Sequence, residues 1–337
     1  MSYLTPRASY AARLMRITSL AACVLLASMI LGCGGDDATS PSDSKPDPNA
    51  DRLEITFGYA TGPSTTFESM ALYQSAKDGR LVTPFISTPD VELDPEWSND
   101  GSKLAFVRFT APLLAPATIW VANADGTGLQ QIVVDPSSVD PSSSETLFNN
   151  QTYPTWSPDR QSIAFNRSIG TTQSGIGVVG VDGSGLRWLI TGANNPSWSV
   201  NNRIAFDMNG GIWTIQPDGT GLTQVTSVGG DLLPKWSRDG TRLVFAHSVG
   251  NASGTAYDIV TTRGDGTDRR TLATGGNNVN PSWSPDGAFV LYEYVDLSEP
   301  ALPKCTLHKV PSAGGAAVNL TPDRGAGYCG GSSWRPL

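Results

Sequence analysis

Histidine is scarce: only His247 and His308 occur among the 337 residues. Imidazole is the usual general base near neutral pH and the commonest metal ligand in proteins. Zinc sites and catalytic triads typically draw on it together with other polar groups. The sequence therefore disfavours a histidine-based metal centre and triad chemistry, and no metal site is predicted from these residues.

Charge is also sparse, and it is unbalanced. Only 16% of residues are charged, and the formal net charge is −8. Three arginines, Arg7, Arg13 and Arg16, stand before residue 32, so the rest of the chain is more acidic still. Nucleic-acid binding needs basic surface that neutralises phosphates. We therefore expect no nucleic-acid partner.

The N-terminal apolar run is short. Residues 17–31 follow the three arginines, and about 15 apolar residues fall short of the roughly 20 needed to span a bilayer. The run ends in Ile30-Leu31-Gly32-Cys33, which resembles a bacterial lipobox. We interpret residues 1–32 as a lipoprotein signal peptide, starting at Met1 or Met15, and Cys33 as the lipidated residue. An ordinary secretory signal remains the alternative.

Residues 33–52 are rich in Gly, Ser, Pro and Asp and have almost no core-forming side chains. Such a segment cannot bury enough apolar area to fold, so we predict a disordered tether. A lipid anchor with a tether holds a domain at a membrane without inserting it. Gly34 after the lipidated cysteine favours the outer membrane, and we expect an exported lipoprotein at its periplasmic face or at the cell surface.

Cysteine usage fits export. Of the four cysteines, Cys23 leaves with the signal peptide and Cys33 takes lipid, which leaves Cys305 and Cys329 as one pair. An oxidising compartment favours a disulfide between them. Two free buried thiols are the alternative that the sequence leaves open.

A repeat fills residues 53–337, and the abundant glycine (36) and proline (24) already favour an all-β chain. Its clearest copies are PEWSNDGSKLAF, PTWSPDRQSIAF, PSWSVNNRIAF, PKWSRDGTRLVF and PSWSPDGAFVLY, and SSWRPL ends the chain. The repeated tryptophans are Trp97, Trp156, Trp198, Trp236, Trp283 and Trp334. Their spacing of 38 to 59 residues fits one four-stranded propeller blade per repeat. We expect each tryptophan to pack between neighbouring blades.

The two chain ends complete one unit. Residues 53–86 contain LEITFGY, MALYQSA and LVTPFIS, which match the second, third and fourth strands of a blade that lacks its first. The C-terminal SSWRPL supplies that strand. The sequence therefore predicts an all-β fold, a six-bladed β-propeller of four-stranded antiparallel blades, closed by pairing of the C-terminal strand with the N-terminal strands.

The pattern Pro-x-Trp-Ser-Pro-Asp-Gly, then Ile-Ala-Phe, then an Asp-Gly turn, resembles the TolB-like (WD40-like) propeller repeat over residues 53–337. TolB carries an additional N-terminal α/β domain, so the chain resembles a TolB-like propeller lipoprotein and not TolB itself. The resemblance implies an envelope protein as partner, such as a peptidoglycan-associated lipoprotein, with the membrane reached only through the lipid anchor.

Strand alternation places the long connections on one face of the ring, and we expect this long-loop face to be the recognition surface. The segments are residues 60–69, 110–117, 135–151, 168–174, 248–256, 296–304 and 322–331. The first strands enter the channel on the same face. The candidate binding residues at this channel mouth are Asp94, Glu96, Tyr153, Asn195, Lys235 and Asn280. The alternative is that small polar residues merely fit the narrow end of each blade.

Two functions compete. The first is a lipid-anchored, non-enzymatic binding or scaffold protein of the cell envelope, which takes a protein or a surface polymer on the long-loop face and needs no cofactor. The second is a calcium-dependent propeller hydrolase or lyase, for which Asp94, Glu96, Asn195 and Asn280 are the nearest ligands. No catalytic residue can be named for it. The repeated Asp100, Asp159, Asp239 and Asp286 sit in tight turns, where a structural role is expected.

Overall fold

The computed structural model describes residues 52–60, 70–109, 117–132, 150–169, 173–250, 256–296, 298, 304–321 and 329–336. The signal-peptide and lipidation predictions therefore lie outside the described residues, as does almost all of the predicted tether. So does most of each long connection, except residues 168–174, of which only 170–172 lie outside. Among the residues that are described, no helix is long and apolar enough to cross a membrane.

In the part of the chain that the structure describes, twenty-four strands form six antiparallel four-stranded sheets, which we call blades 1 to 6 in chain order. The strands of the first three blades are β1 (Leu53–Ala60), β2 (Met70–Ala76), β3 (Thr83–Ile86), β4 (Val91–Trp97), β5 (Lys103–Phe109), β6 (Thr118–Asn123), β7 (Gln130–Gln131), β8 (Gln151–Trp156), β9 (Ser162–Ile169), β10 (Gln173–Gly180) and β11 (Arg187–Thr191).

The remaining strands are β12 (Asn194–Trp198), β13 (Ile204–Met208), β14 (Gly211–Ile215), β15 (Thr223–Gln224), β16 (Asp231–Trp236), β17 (Arg242–Val249), β18 (Ala256–Arg263), β19 (Arg270–Ala273), β20 (Asn278–Trp283), β21 (Phe289–Asp296), β22 (Lys304–Pro311), β23 (Val318–Asn319) and β24 (Cys329–Trp334). Blades 2 to 6 each take four consecutive strands, beginning with β4, and the innermost strand of each blade comes first in the chain.

The C-terminal strand closes the ring, as predicted. Blade 1 has the strand order β24-β1-β2-β3, so β24 is its innermost strand. The strand β24 also contacts β20 of blade 6 and β4 of blade 2. A disulfide joins Cys305 of β22 to Cys329 of β24, with Cα atoms 5.7 Å apart. The pairing of β24 with β1 completes blade 1 and packs it between blades 6 and 2.

The outer strands are shorter than the apolar patterns suggest. In blades 2, 4 and 6 the fourth strand has only two residues, all of them exposed. Each outer strand has a neighbour on one side alone, and its side chains bury little area against the blade. Short edge strands also offer little backbone to a second chain.

The repeated tryptophans pack against the preceding blade. Trp156 of blade 3, for example, joins Val107 and Ile119 of blade 2 in one buried cluster. The other five occupy equivalent clusters between neighbouring blades. Burial of these large side chains is the main apolar contact that holds successive blades together.

Candidate functional site: the mouth of the central channel

A β-bulge interrupts the innermost strand of every blade at the same position, where the pairing register shifts by one residue. The residue at each bulge has a left-handed backbone conformation. These residues are Asp94 (φ 51°), Tyr153 (φ 53°), Asn195 (φ 54°), Leu233 (φ 58°), Asn280 (φ 51°) and Gly331 (φ 79°). In five of the six the next residue is proline, which disfavours that conformation further. Bulges redirect side chains at functional sites.

The six bulges surround one concave site, which is the channel mouth. All six candidate binding residues predicted from the sequence line it: Asp94, Glu96, Tyr153, Asn195, Lys235 and Asn280. Five prolines, Leu233, Gly331 and Ser332 complete the lining. The cavity therefore combines apolar walls with a few polar groups, as ligand sites commonly do.

An ion pair crosses the channel within this cavity. Lys235 of blade 5 donates from Nζ to Glu96 Oε2 of blade 2 at 2.8 Å, and both side chains are about one quarter exposed. Closer to the opposite face, Arg238 donates to the Asn99 carbonyl oxygen at 2.9 Å. Blades 2 and 5 lie opposite each other in the ring, so the two contacts brace it across its axis.

Hydroxyl groups of the inner strands have a structural use. In three blades, a serine or threonine accepts the backbone N–H of the next blade's tryptophan. The pairs are Thr155 with Trp198 (3.0 Å), Ser197 with Trp236 (3.0 Å) and Ser333 with Trp97 (3.3 Å). These contacts agree with the alternative to a binding site, which is that small polar residues fit the narrow ends of the blades.

Two carboxyl groups lie next to the mouth, and one of them, Asp207, joins neighbouring blades. Asp207 Oδ1 accepts both the Asn195 amide (2.6 Å) and the Leu233 backbone N–H (3.1 Å) of the next blade. Glu293 Oε2 accepts the Asn280 amide at 2.7 Å. The sequence analysis missed both acids. Asp207 directly follows the apolar triplet Ile-Ala-Phe of its repeat, and Glu293 follows Val-Leu-Tyr. A charged residue directly after these apolar triplets is the sequence signal that could have identified both acids.

Burial dominates the electrostatics of these acids. Burial raises the pKa of Asp207 to about 6, against the opposing hydrogen bonds from Asn195 and Leu233. Burial likewise raises the pKa of Glu293 to about 8, and the nearby charge of Asp94 adds to the effect. Perturbed carboxyl groups beside a cavity are typical of functional sites and also of structural networks.

Asp94 lacks the polar partner that the equivalent Asn195 and Asn280 have. The two asparagines pair with Asp207 and Glu293, on the second strand of their blades. In blade 2 the equivalent position is Val107, which offers no polar group. Burial raises the pKa of Asp94 to about 7, while the Lys235 charge and the Tyr153 backbone N–H lower it in part. Asp94 therefore presents a carboxyl group to the cavity that is poorly solvated when ionised.

The remaining candidates lie elsewhere. In the turns, Ser98 donates to Asp100 at 2.8 Å, and the same contact recurs at Asp159, Asp239 and Asp286. Hydrogen bonds of the Ser157 hydroxyl and the Gln161 backbone N–H lower the pKa of Asp159 in this way. These are the turn contacts expected of a structural aspartate.

Comparisons with known proteins agree with this architecture. The family model described as TolB beta propeller domain matches residues 52–325. The chain is similar to TolB from Acinetobacter baumannii (TM-score 0.68, 18% identity, 86% of this chain and 68% of that one). It is also similar to a putative TolB from Agrobacterium tumefaciens (0.58, 17%, 85% and 99%) and to Kuenenia stuttgartiensis hydrazine synthase (0.62, 12%, 84% and 47%). At these identities the likeness concerns the fold. No curated protein matches the sequence.

Proposed function

Because the chain belongs to the TolB beta propeller domain family, we propose that it is a binding protein whose channel mouth takes a protruding segment of a polypeptide partner. The observation that carries this proposal is that Asp94 lines the cavity at the channel mouth together with apolar proline, leucine and tyrosine side chains. We propose further that a basic side chain or an amine of the partner pairs with Asp94.

The shape of the cavity suits an inserted side chain. The Glu96–Lys235 pair lies across the channel within the cavity. The walls are formed by the proline rings together with Leu233 and Tyr153. An alkyl chain that ends in a positive charge can pack against such walls and place the charge on an acid.

The charge of the cavity favours a cation. Lys235 is paired with Glu96, so the carboxyl of Asp94, when ionised, is the source of excess negative charge in the lining. A bound cation would offset the cost of desolvating the Asp94 carboxylate and would therefore favour the ionised form of Asp94. Binding should therefore release a proton near pH 7 and should tighten as the pH rises from 6 to 8.

The proposed setting is the cell envelope. It rests on the sequence interpretation of residues 1–32 as a signal peptide, of Cys33 as the lipidation site and of residues 33–52 as a tether to the propeller of residues 53–337. The partner is then an envelope protein, and the family suggests a peptidoglycan-associated lipoprotein as one example. Lipid labelling of the wild type that is lost in Cys33→Ser supports the anchor, and equal labelling of both rejects it.

The calcium-dependent alternative is favoured less. Asn195 and Asn280 turn their amide nitrogens to Asp207 and Glu293, and Glu96 is paired with Lys235. Within the described ranges, the groups of three or more acidic, histidine or cysteine ligands close enough to hold a metal do not include Asp94. The four residues expected to form a calcium site line one cavity without converging as a ligand set.

Selection of peptides from a random library tests the proposal without a known partner. The full chain should enrich sequences with lysine or arginine, and Asp94→Asn should lose them. Asp218→Asn, an exposed turn substitution, is the matched control and should enrich the same sequences as the wild type. Enrichment without basic residues, or enrichment that Asp94→Asn retains, would contradict the assignment of Asp94.

A further inference from the structure

A second, small cavity lies beside the disulfide at the point where β24 closes the ring. Its lining includes Glu293, Thr321, Cys305 and Cys329. One carboxyl oxygen of Glu293 and the two sulfur atoms all lie within 4.8 Å of one another. Both sulfurs are engaged in the disulfide, so the three groups form a disulfide with a carboxyl group beside it.

The carboxyl group is held close to the sulfurs. Glu293 is 2% exposed, and its Oε2 accepts the Asn280 amide. Its Oε1 is buried, and the Gly331 backbone N–H also interacts with the carboxyl group. The titratable groups around it are Asp94 of β4 and Tyr59 of β1, the latter in the same cavity. Burial and Asp94 raise the pKa of Glu293 to about 8, so at neutral pH it retains a proton next to the disulfide.

The two sulfur atoms are not equivalent. Cys305 is 3% exposed, whereas Cys329 is partly exposed. An incoming thiolate therefore reaches Cys329 more easily, and Cys305 becomes the leaving group. A thiolate in apolar surroundings is costly, which slows its departure. A proton donor at Cys305 removes that cost.

We propose that Cys305–Cys329 is a thiol–disulfide exchange site, with a dithiol as its co-substrate and Glu293 as the proton donor to Cys305. The thiolate of the dithiol attacks Cys329 Sγ, a new S–S bond forms, and the Cys305–Cys329 bond breaks. Its electron pair stays on Cys305 Sγ, which takes the proton of Glu293.

The second step completes the balance. The other thiol of the dithiol gives its proton to the Glu293 carboxylate and attacks its partner sulfur, and the Cys329 thiolate leaves and takes a proton from water. The dithiol is oxidised by two electrons, and the two cysteines are reduced. Since Cys329 is two residues from Gly331, exchange would also release the end of β24 at the channel mouth. This inference does not rest on the proposed binding function.

The test follows reduction of the oxidised full chain by dithiothreitol, with thiols counted by alkylation and mass spectrometry. Direct exchange predicts a rate that rises linearly with reductant concentration. A disulfide that reacts only after global unfolding gives a rate that saturates with reductant, or a linear rate that rises steeply with urea below the unfolding transition, and either outcome in the wild type overturns the proposal without any variant.

The isosteric Glu293→Gln variant tests the proton donor. Proton donation by a positioned side chain typically contributes about 10² or more to a rate, and we expect reduction at pH 7 to slow at least about tenfold. The rate per reductant thiolate should fall above pH 8 in the wild type and stay flat in the variant. Asp207→Asn, which changes another buried acid away from the disulfide, should match the wild type. Equal rates and equal pH profiles for the wild type and a folded Glu293→Gln would reject the role of Glu293.

Discussion

The six repeated tryptophans share a position, but their indole N–H groups do not share a partner. Trp283 Nε1 donates to the Lys235 carbonyl oxygen at 3.2 Å, across the boundary between blades 5 and 6. The equivalent Nε1 of Trp334 is buried without a hydrogen-bond partner among the described residues. The repeat therefore conserves the apolar contact, and the hydrogen bond differs from blade to blade.

This difference gives a matched pair of substitutions. Trp283 and Trp334 are 8% and 6% exposed, so replacement by phenylalanine removes similar apolar area from each. Trp283→Phe also removes a hydrogen bond, whereas Trp334→Phe removes an unsatisfied donor. We expect Trp283→Phe to lower the free energy of unfolding by about 1 kcal/mol more, measured by urea denaturation. Equal losses would show that the Lys235 contact contributes nothing.

The buried carboxyl of Asp207 predicts a dependence of stability on pH. A raised carboxyl pKa means that the folded state holds the proton more tightly than the unfolded state does. The stability it contributes is therefore fully present below about pH 4 and is lost as the pH rises to about 6. The side chain introduced by Asp207→Asn does not titrate. The melting temperature of the variant minus that of the wild type should therefore increase from pH 4 to pH 7.

An exposed turn aspartate provides the control of opposite sign. Hydrogen bonds from the Thr220 backbone and hydroxyl lower the pKa of Asp218. The stability from Asp218 is present above its ordinary pKa of 3.8 and is lost as the pH falls. Asp218→Asn should therefore show no gain between pH 4 and pH 7. A constant difference between Asp207→Asn and the wild type over that range would contradict the assignment.

At the scale of the strand, the bulge is the feature that makes the channel mouth. Gly331 fills the bulge position in β24, where the other five blades have larger residues. A Cβ added there would lie 2.9 Å from the Asp94 Cα and Oδ1 atoms. Glycine therefore allows the closing strand to pass close to Asp94.

Gly331→Ala and Gly275→Ala separate crowding from backbone strain. The two glycines have φ values of 79° and 81°, so alanine suffers similar strain at both. A Cβ at Gly275 meets nothing within 4 Å. We expect Gly331→Ala to cost about 1 to 3 kcal/mol more free energy of unfolding, because it overpacks the mouth. Equal costs in thermal denaturation would mean that β24 does not approach Asp94 closely.

Individual strands show what the sequence could predict. The Trp-Ser copies and Asp-Gly turns correctly place the inner strands, because turn chemistry and apolar runs are local signals. The two-residue β7 and β15 are shorter than the runs LQQIVV and LTQVTS that contain them, because such a run carries no information on whether a neighbouring strand lies beside it. The bulges were not predicted either, since the X-Pro sequences that they contain normally indicate extended backbone.

At the scale of the whole molecule, ring closure and blade number followed from the sequence, because SSWRPL supplies the one strand that blade 1 lacks. The positions of the six mouth residues also followed, since the repeat places equivalent residues on one ring. The pairing of Glu96 with Lys235 did not, because no pattern links two residues on opposite blades. Asp207 and Glu293 were missed for a related reason, as their partners lie on different strands and, for Asp207, partly on the next blade.

The central claim is that the channel mouth receives a segment of a polypeptide partner. Tyr153 lines the mouth. Val318 lies on the outermost strand of blade 6, at the end of the blade away from the channel, and is 55% exposed. The most direct measurement places the photo-reactive amino acid p-benzoylphenylalanine at either position in the full chain and irradiates the native envelope. The account predicts one polypeptide adduct from position 153, cross-linked next to a basic residue, and none from position 318. No adduct from position 153, or the same adduct from both positions, would contradict it.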